Sequence, residues 1–135
     1  MSKKVKIIIA GAMVYWIVSI FYAKLFWNFM LEHGVIGALL FDVIIPFLLG
    51  LIISVLLNDK YSWIYGVITF HVYMLLHSLL NFIFFVFIYR TYSISRELYD
   101  IKQHYFYTGI LATLFAIIGG LIGYYIKRLA KHRTS

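Results

Sequence analysis

The chain has 135 residues, of which 64% are hydrophobic, 20% aromatic and only 13% charged, against roughly 45–50% apolar in an ordinary soluble domain. That composition excludes a soluble globule, and the length allows about one domain. The absence of Cys excludes a disulfide framework, a thiolate metal site and a cysteine nucleophile.

A membrane helix needs about 20 consecutive apolar residues, and four runs of that order are present. The first, residues 5–26, follows Lys3, Lys4 and Lys6. It exceeds the roughly 7–15 residues of a signal-peptide core, and Phe21-Tyr22-Ala23 lacks the small residue a cleavage site needs. It reads as a retained span. The second, residues 35–57, is interrupted by Asp42 and Pro46. The third, 62–89, is the most aromatic and carries His71, His77 and Asn81, and the fourth covers 105–126. Membrane β-strands would alternate polar and apolar residues over about ten positions, and these runs do not.

The connections, 27–34, 58–61 and 90–104, are short, which favours an all-α bundle of four transmembrane helices running up, down, up and down as a single integral membrane domain. Within the third connection Ile94, Leu98, Ile101 and Tyr105 share a helical face while Arg96, Glu97, Asp100 and Lys102 fall elsewhere. That pattern predicts a helix over 94–103 lying on the membrane surface.

Charge sets the expected orientation. Lys3, Lys4, Lys6, Lys60, Lys127, Arg128, Lys131 and Arg133 fall on the side of the termini, and Lys24, Arg90, Arg96 and Lys102 on the other. The bias places both termini in the cytoplasm, and it accounts for the net charge of +7 without a nucleic-acid partner. The basic tail over 127–133 would also attract anionic headgroups of the lipid bilayer. Trp27, Trp63, Tyr61, Tyr89, Tyr92, Tyr105, Tyr124 and Tyr125 lie near the ends of the runs, as interfacial rings do.

Asp42 is the only acid well inside a run, where an ionised carboxylate costs on the order of 3 kcal/mol. Protonation or a partner must offset this. Pro46 stands four residues on, so its missing N–H leaves the Asp42 carbonyl unpaired and its ring tends to kink the helix there. Asp42 lies about a third of the way in from the outer end, and the same depth on an antiparallel third run falls between His77 and Asn81. Ser62, Gly66, Thr69, Tyr73, His77 and Asn81 are spaced three or four apart and form one polar or small face. The expectation is a cluster of Asp42, His77 and Asn81 with Tyr73 one turn below, acting either as a network that sets helix register or as a site for protons or cations.

His71 lies on a different face from His77, so the two cannot ligate one metal together. Axial haem ligation would need a second histidine opposite one of them, and the other three runs have none in their cores, so neither a metal nor any other cofactor is expected. His33, His104 and His132 read as solvated. In the fourth run Gly109, Ala112, Ala116, Gly119, Gly120 and Gly123 form a small-residue track suited to close helix packing, within the chain or against a partner.

No phosphate loop, nucleophile elbow or paired catalytic acids are present, and an enzyme is not expected. In length and number of spans the chain resembles the small multidrug resistance transporters, a resemblance that implies a dimer around an intramembrane carboxylate. That family carries its Glu in the first span, where this chain has no acid, and the carboxylate here is Asp42 in the second. Abundant Ile, Phe, Tyr and Lys with few Ala look bacterial. The leading expectation is a non-enzymatic accessory or interaction subunit of the cytoplasmic membrane, with a homo-oligomer or a larger membrane protein as partner. The alternative is a small oligomeric transporter or channel that uses Asp42 with His77 and Asn81.

Overall fold

The computed structural model describes residues 1–25, 28, 32–57 and 59–133. Phe26 and Trp27, the expected end of the first span and its anchor, and Asn58 of the second connection lie outside the described residues. Among the described residues there is no strand, and four helical runs account for nearly all of the chain. Helix α1 is Lys3–Leu25 and α2 is Val35–Leu56. Helix α3, Ser62–Phe82, passes into a π-helical segment, Ile83–Ile88. Helix α4, Ile94–His104, continues through a π turn, Tyr105–Gly109, into α5, Ile110–Arg133.

Local chemistry explains most of the ends. The Ser2 hydroxyl accepts from the Val5 N–H at 3.3 Å at the start of α1. Gly34, with φ of 47°, turns the chain into α2 through the left-handed region that favours glycine. Asp59 accepts from the Tyr61 N–H at 3.2 Å and shapes the tight turn between α2 and α3. Arg90, with φ of 50°, ends the third run, and Ser93 caps α4 by accepting from the Arg96 N–H at 3.3 Å.

Contacts at one end establish the direction of the runs. Lys4 pairs with Asp59, which ties the start of α1 to the α2–α3 turn. The Lys127 ammonium donates to the Val55 and Leu57 carbonyls, each at 2.9 Å, capping the C-terminus of α2 from α5. The start of α1, the α2–α3 turn and the C-terminal part of α5 therefore lie at one end of the bundle.

Three helices, Lys3–Tyr22, Ser62–Ile88 and Ile94–Arg133, are long and apolar enough to cross a membrane, and a shorter apolar stretch covers Phe41–Leu56. Their outward faces stay apolar: Met13, Val14, Phe21, Leu75, Leu79 and Leu114 are all exposed. A helix that is greasy on its outer face as well suits lipid surroundings.

The helix expected over 94–103 is present, but it is not a separate element. Nothing between Ile94 and Thr108 is Pro or Gly, so the helix is not stopped where the apolar run begins; hydropathy there marks a change of surroundings. The continuous run of 40 residues has a path length of about 60 Å. Its expected apolar face is divided: Ile94 and Leu98 are exposed, whereas Tyr105 is half-buried against the core, and Glu97 is buried.

The small-residue track of α5 is consumed inside the chain. A Cβ on Gly119 would collide with the Phe47 carbonyl, one on Gly120 with the Trp63 carbonyl, and one on Gly123 would sit 2.6 Å from the Leu51 carbonyl oxygen. Gly50 of α2 lies against the Ala116 carbonyl, and Gly66 of α3 against the Cα of Gly50. Helices α2, α3 and α5 thus meet backbone to backbone, and α2 makes its most extensive packing with α5. Ala112 and Ala116 are fully buried in this seam. Gly109 differs from the rest of the track, because its nearest neighbour is the Tyr105 ring at an ordinary 3.7 Å. Beside the node, the buried Ser54 and Ser62 hydroxyls bond to each other at 3.3 Å.

Candidate functional site

Towards the other end of the bundle, side chains replace glycines between the helices. Tyr15, Ser19 and Tyr22 project from α1 at helical spacing, Phe41 and Asp42 from α2, and Phe70, Tyr73, Met74 and His77 from α3. Together with His104 and Thr108, which come from the end of α4 and the π turn, they line a cavity of about 520 Å3. Tyr15 is the keystone, with ring centroids 4.2 Å from Tyr73, 5.7 Å from Phe41 and 5.8 Å from Phe70. Phe70, Tyr73, Met74, Ala12, Tyr15 and Ala112 form the buried core beneath it.

Three of the four residues expected to cluster share this cavity: Asp42, His77 and Tyr73. The Tyr73 and His77 rings stack at 5.7 Å, and His77 Nε2 lies 3.0 Å from the Asn81 amide nitrogen. Asn81 is outside the lining and reaches the cavity through His77. The expected polar face of α3 is real, since Ser62, Gly66, Thr69 and Tyr73 are buried, with His77 and Asn81 half-buried. Pro46 sits inside the unbroken helix α2, four residues from Asp42, and is fully buried.

His104 was missed. Its place in a polar connection suggested a solvated side chain, yet the continuation of the helix through the π turn carries it to the rim of the cavity that His77 also lines. A single-turn π segment at a functional site is a recurrent arrangement, but nothing in the local sequence announces it. His71 stands apart on the exposed face of α3, 3.2 Å from the Thr113 hydroxyl. Among the described residues no group of three or more His, Cys, Asp or Glu could hold a metal ion.

The cavity combines one carboxyl group, two imidazoles and three phenols within largely apolar walls. A carboxylate in such surroundings can accept a proton or hold a cation, and the imidazoles can relay or repel the same charge. Tyr15, Phe70 and Tyr73 at its inner side are buried, and His104 at its edge is exposed.

No family model, curated protein or solved structure matches the chain. The similarity to small multidrug resistance transporters therefore rests on length and apolar runs alone.

Proposed function

We propose that the chain is a small integral protein of the bacterial cytoplasmic membrane that binds and passes a proton or small cation at Asp42. One observation carries this reading: Asp42, His77, Tyr73 and His104 open onto one cavity between helices. An intramembrane carboxylate facing such a cavity is expensive unless it is used. Four spans are part of the proposal, because the 22 residues of α2 extend about 33 Å, enough for a bilayer core. The excess of Lys and Arg on the side of the termini supports a cytoplasmic placement of both. The reading assigns binding and passage to the chain and no bond-making chemistry.

The test is flux into vesicles reconstituted with the purified protein under an imposed proton or monovalent-cation gradient. Wild type is expected to dissipate the gradient, and Asp42→Asn to abolish this at an unchanged melting temperature. Equal flux in the two would overturn the proposal.

A second reading, an accessory subunit, is favoured by an apolar hollow of about 300 Å3 between α1 and α3, bounded by Ile9, Met13, Trp16, Leu76 and Leu80. It suits a partner's transmembrane helix. Native mass spectrometry after mild extraction would then show a stoichiometric heterocomplex, and vesicles of the chain alone would show no flux.

A further inference from the structure

Helix α3 carries an imidazole on a face that otherwise suits lipid. His71 is exposed, and Ile68 and Leu75, one turn to either side on the same face, are exposed and apolar. It stands nine residues into α3, about 14 Å along the helix, which is mid-depth in a bilayer core of about 30 Å. A polar group facing outward at that depth is costly unless its hydrogen-bonding capacity is met.

The chain meets only half of that capacity. The Thr113 hydroxyl donates to the Gly109 carbonyl at 2.6 Å, so its one proton is committed, and its oxygen, 3.2 Å from His71 Nε2, can only accept. Nε2 of the neutral ring therefore carries the proton, and Nδ1 is an acceptor with no donor facing it among the described residues. Beside this pair lies a hollow of about 300 Å3, lined by His71, Thr113, Tyr105, Gly109, Ile110 and Leu114. Gly109 keeps it open. A Cβ there would meet only the Tyr105 ring at 3.7 Å, whereas Gly119, Gly120 and Gly123 each abut a carbonyl of a neighbouring helix. The π turn Tyr105–Gly109 forms part of the wall, and such turns recur at functional sites.

We infer that this hollow binds the ring of a lipid-soluble quinol, one hydroxyl of which donates to His71 Nδ1. The site calls for a hydrogen-bond donor at mid-depth in an apolar medium. Phospholipid ester carbonyls are acceptors and lie at the interface, and acyl chains carry no donor. A hydroxylated ring on an isoprenoid tail dissolves at the required depth, and a flat ring suits the space between the Tyr105 ring and the Gly109 backbone better than an acyl chain does. The inference concerns binding alone and assigns no redox step. His71 and His77 lie on different faces of α3, so this site stands or falls separately from the Asp42 flux experiment.

The test is native mass spectrometry of the full chain in mild detergent under anaerobic conditions, titrated with decylubiquinol and, separately, with decylubiquinone. The two probes share ring and tail and differ in the two hydroxyl hydrogens. One quinol per chain is expected, bound at least about fivefold more tightly than the quinone, the usual size of one hydrogen bond between groups in a membrane. His71→Leu should bring the two forms within about twofold of each other. His71 is exposed, so the melting temperature of that variant should hold. Gly109→Leu fills the hollow without meeting backbone and should weaken both forms. Equal binding of the two forms to wild type, a quinol preference that survives His71→Leu, or unchanged binding in Gly109→Leu would each overturn the site. So would a dimer that takes up neither probe, which would show that a second copy of the chain covers His71.

Discussion

Helices α2 and α3 pass through two kinds of packing within about two turns of each other. At Gly50 and Gly66 they touch backbone to backbone, with the Gly119–Gly123 segment of α5 closing the third side. At Phe41, Asp42, Phe70 and Tyr73 the same helices are held apart by rings, and a cavity of about 520 Å3 remains between them. Small residues let dispersion act between backbones over a wide seam, whereas bulky rings reach contact only at their edges. The contrast suggests a division of labour in which a rigid glycine node holds open the space where a polar group can be used.

The most severe way to break this contrast is to put side chains into the node. Gly120→Ala sets a methyl against the Trp63 carbonyl, and backbone cannot move aside as a flexible side chain can. A loss on the order of 3 kcal/mol is expected, and Gly120→Val should prevent folding. Gly109→Ala lies on the same track but meets only ordinary contact, so its stability should stay within about 1 kcal/mol of wild type. Thermal melting in detergent checks both, and equal melting temperatures would remove the distinction between the two positions.

A loss of similar size is expected from Phe70→Ala, which empties a fully buried ring position under the cavity; about 3 kcal/mol is typical. Leu75→Ala, on the outward face of the same helix, should change detergent stability little. If both melted alike, the aromatic layer would not be the support of the cavity.

The smallest effect is electrostatic and lies at the α2–α3 turn. The hydrogen bond from Lys4 holds the Asp59 carboxyl down at about 2, below its ordinary 3.8. A group whose folded value is depressed contributes its full stability above the unfolded value and loses it as pH falls through the folded one. Melting temperature should therefore be level above about pH 4 and decline towards pH 2, and Asp59→Asn should remove that part of the decline. An identical acid profile in the variant would mean that the ion pair contributes nothing, as many exposed pairs do.

Periodicity made part of this legible in advance. The face from Ser62 to Asn81 follows from three- and four-residue spacing, and depth counting on antiparallel helices brought Asp42 level with His77. The α5 track was likewise visible, because small residues, Gly and Ala, recur at intervals of three or four. Gly50 was not, since Gly37 and Gly50 stand too far apart in their run to set a helical repeat, and the need for Gly50 arises only when Ala116 of another helix approaches. Hydropathy also misplaced the start of the last helix: a helix ends where capping and backbone torsion end it, here at Arg90 and Ser93, while the polar stretch from Ile94 to His104 stays helical. His104 fell with that error, because its meeting with His77 depends on the helix being continuous. The rings that build the cavity were present in every run, and composition alone could not select Tyr15 and Phe70 from the others.

The central claim is that the Asp42 half of the bundle admits water and ions while the glycine half does not. The chain has no native Cys, so single cysteines can report on each half with a small, membrane-impermeant thiol reagent applied to protein in vesicles made permeable to it from both faces. Thr108→Cys in the cavity wall is expected to label rapidly, and Ser54→Cys beside the node to remain unlabelled until the protein is denatured. Equal protection of both, or faster labelling at Ser54→Cys, would contradict the account.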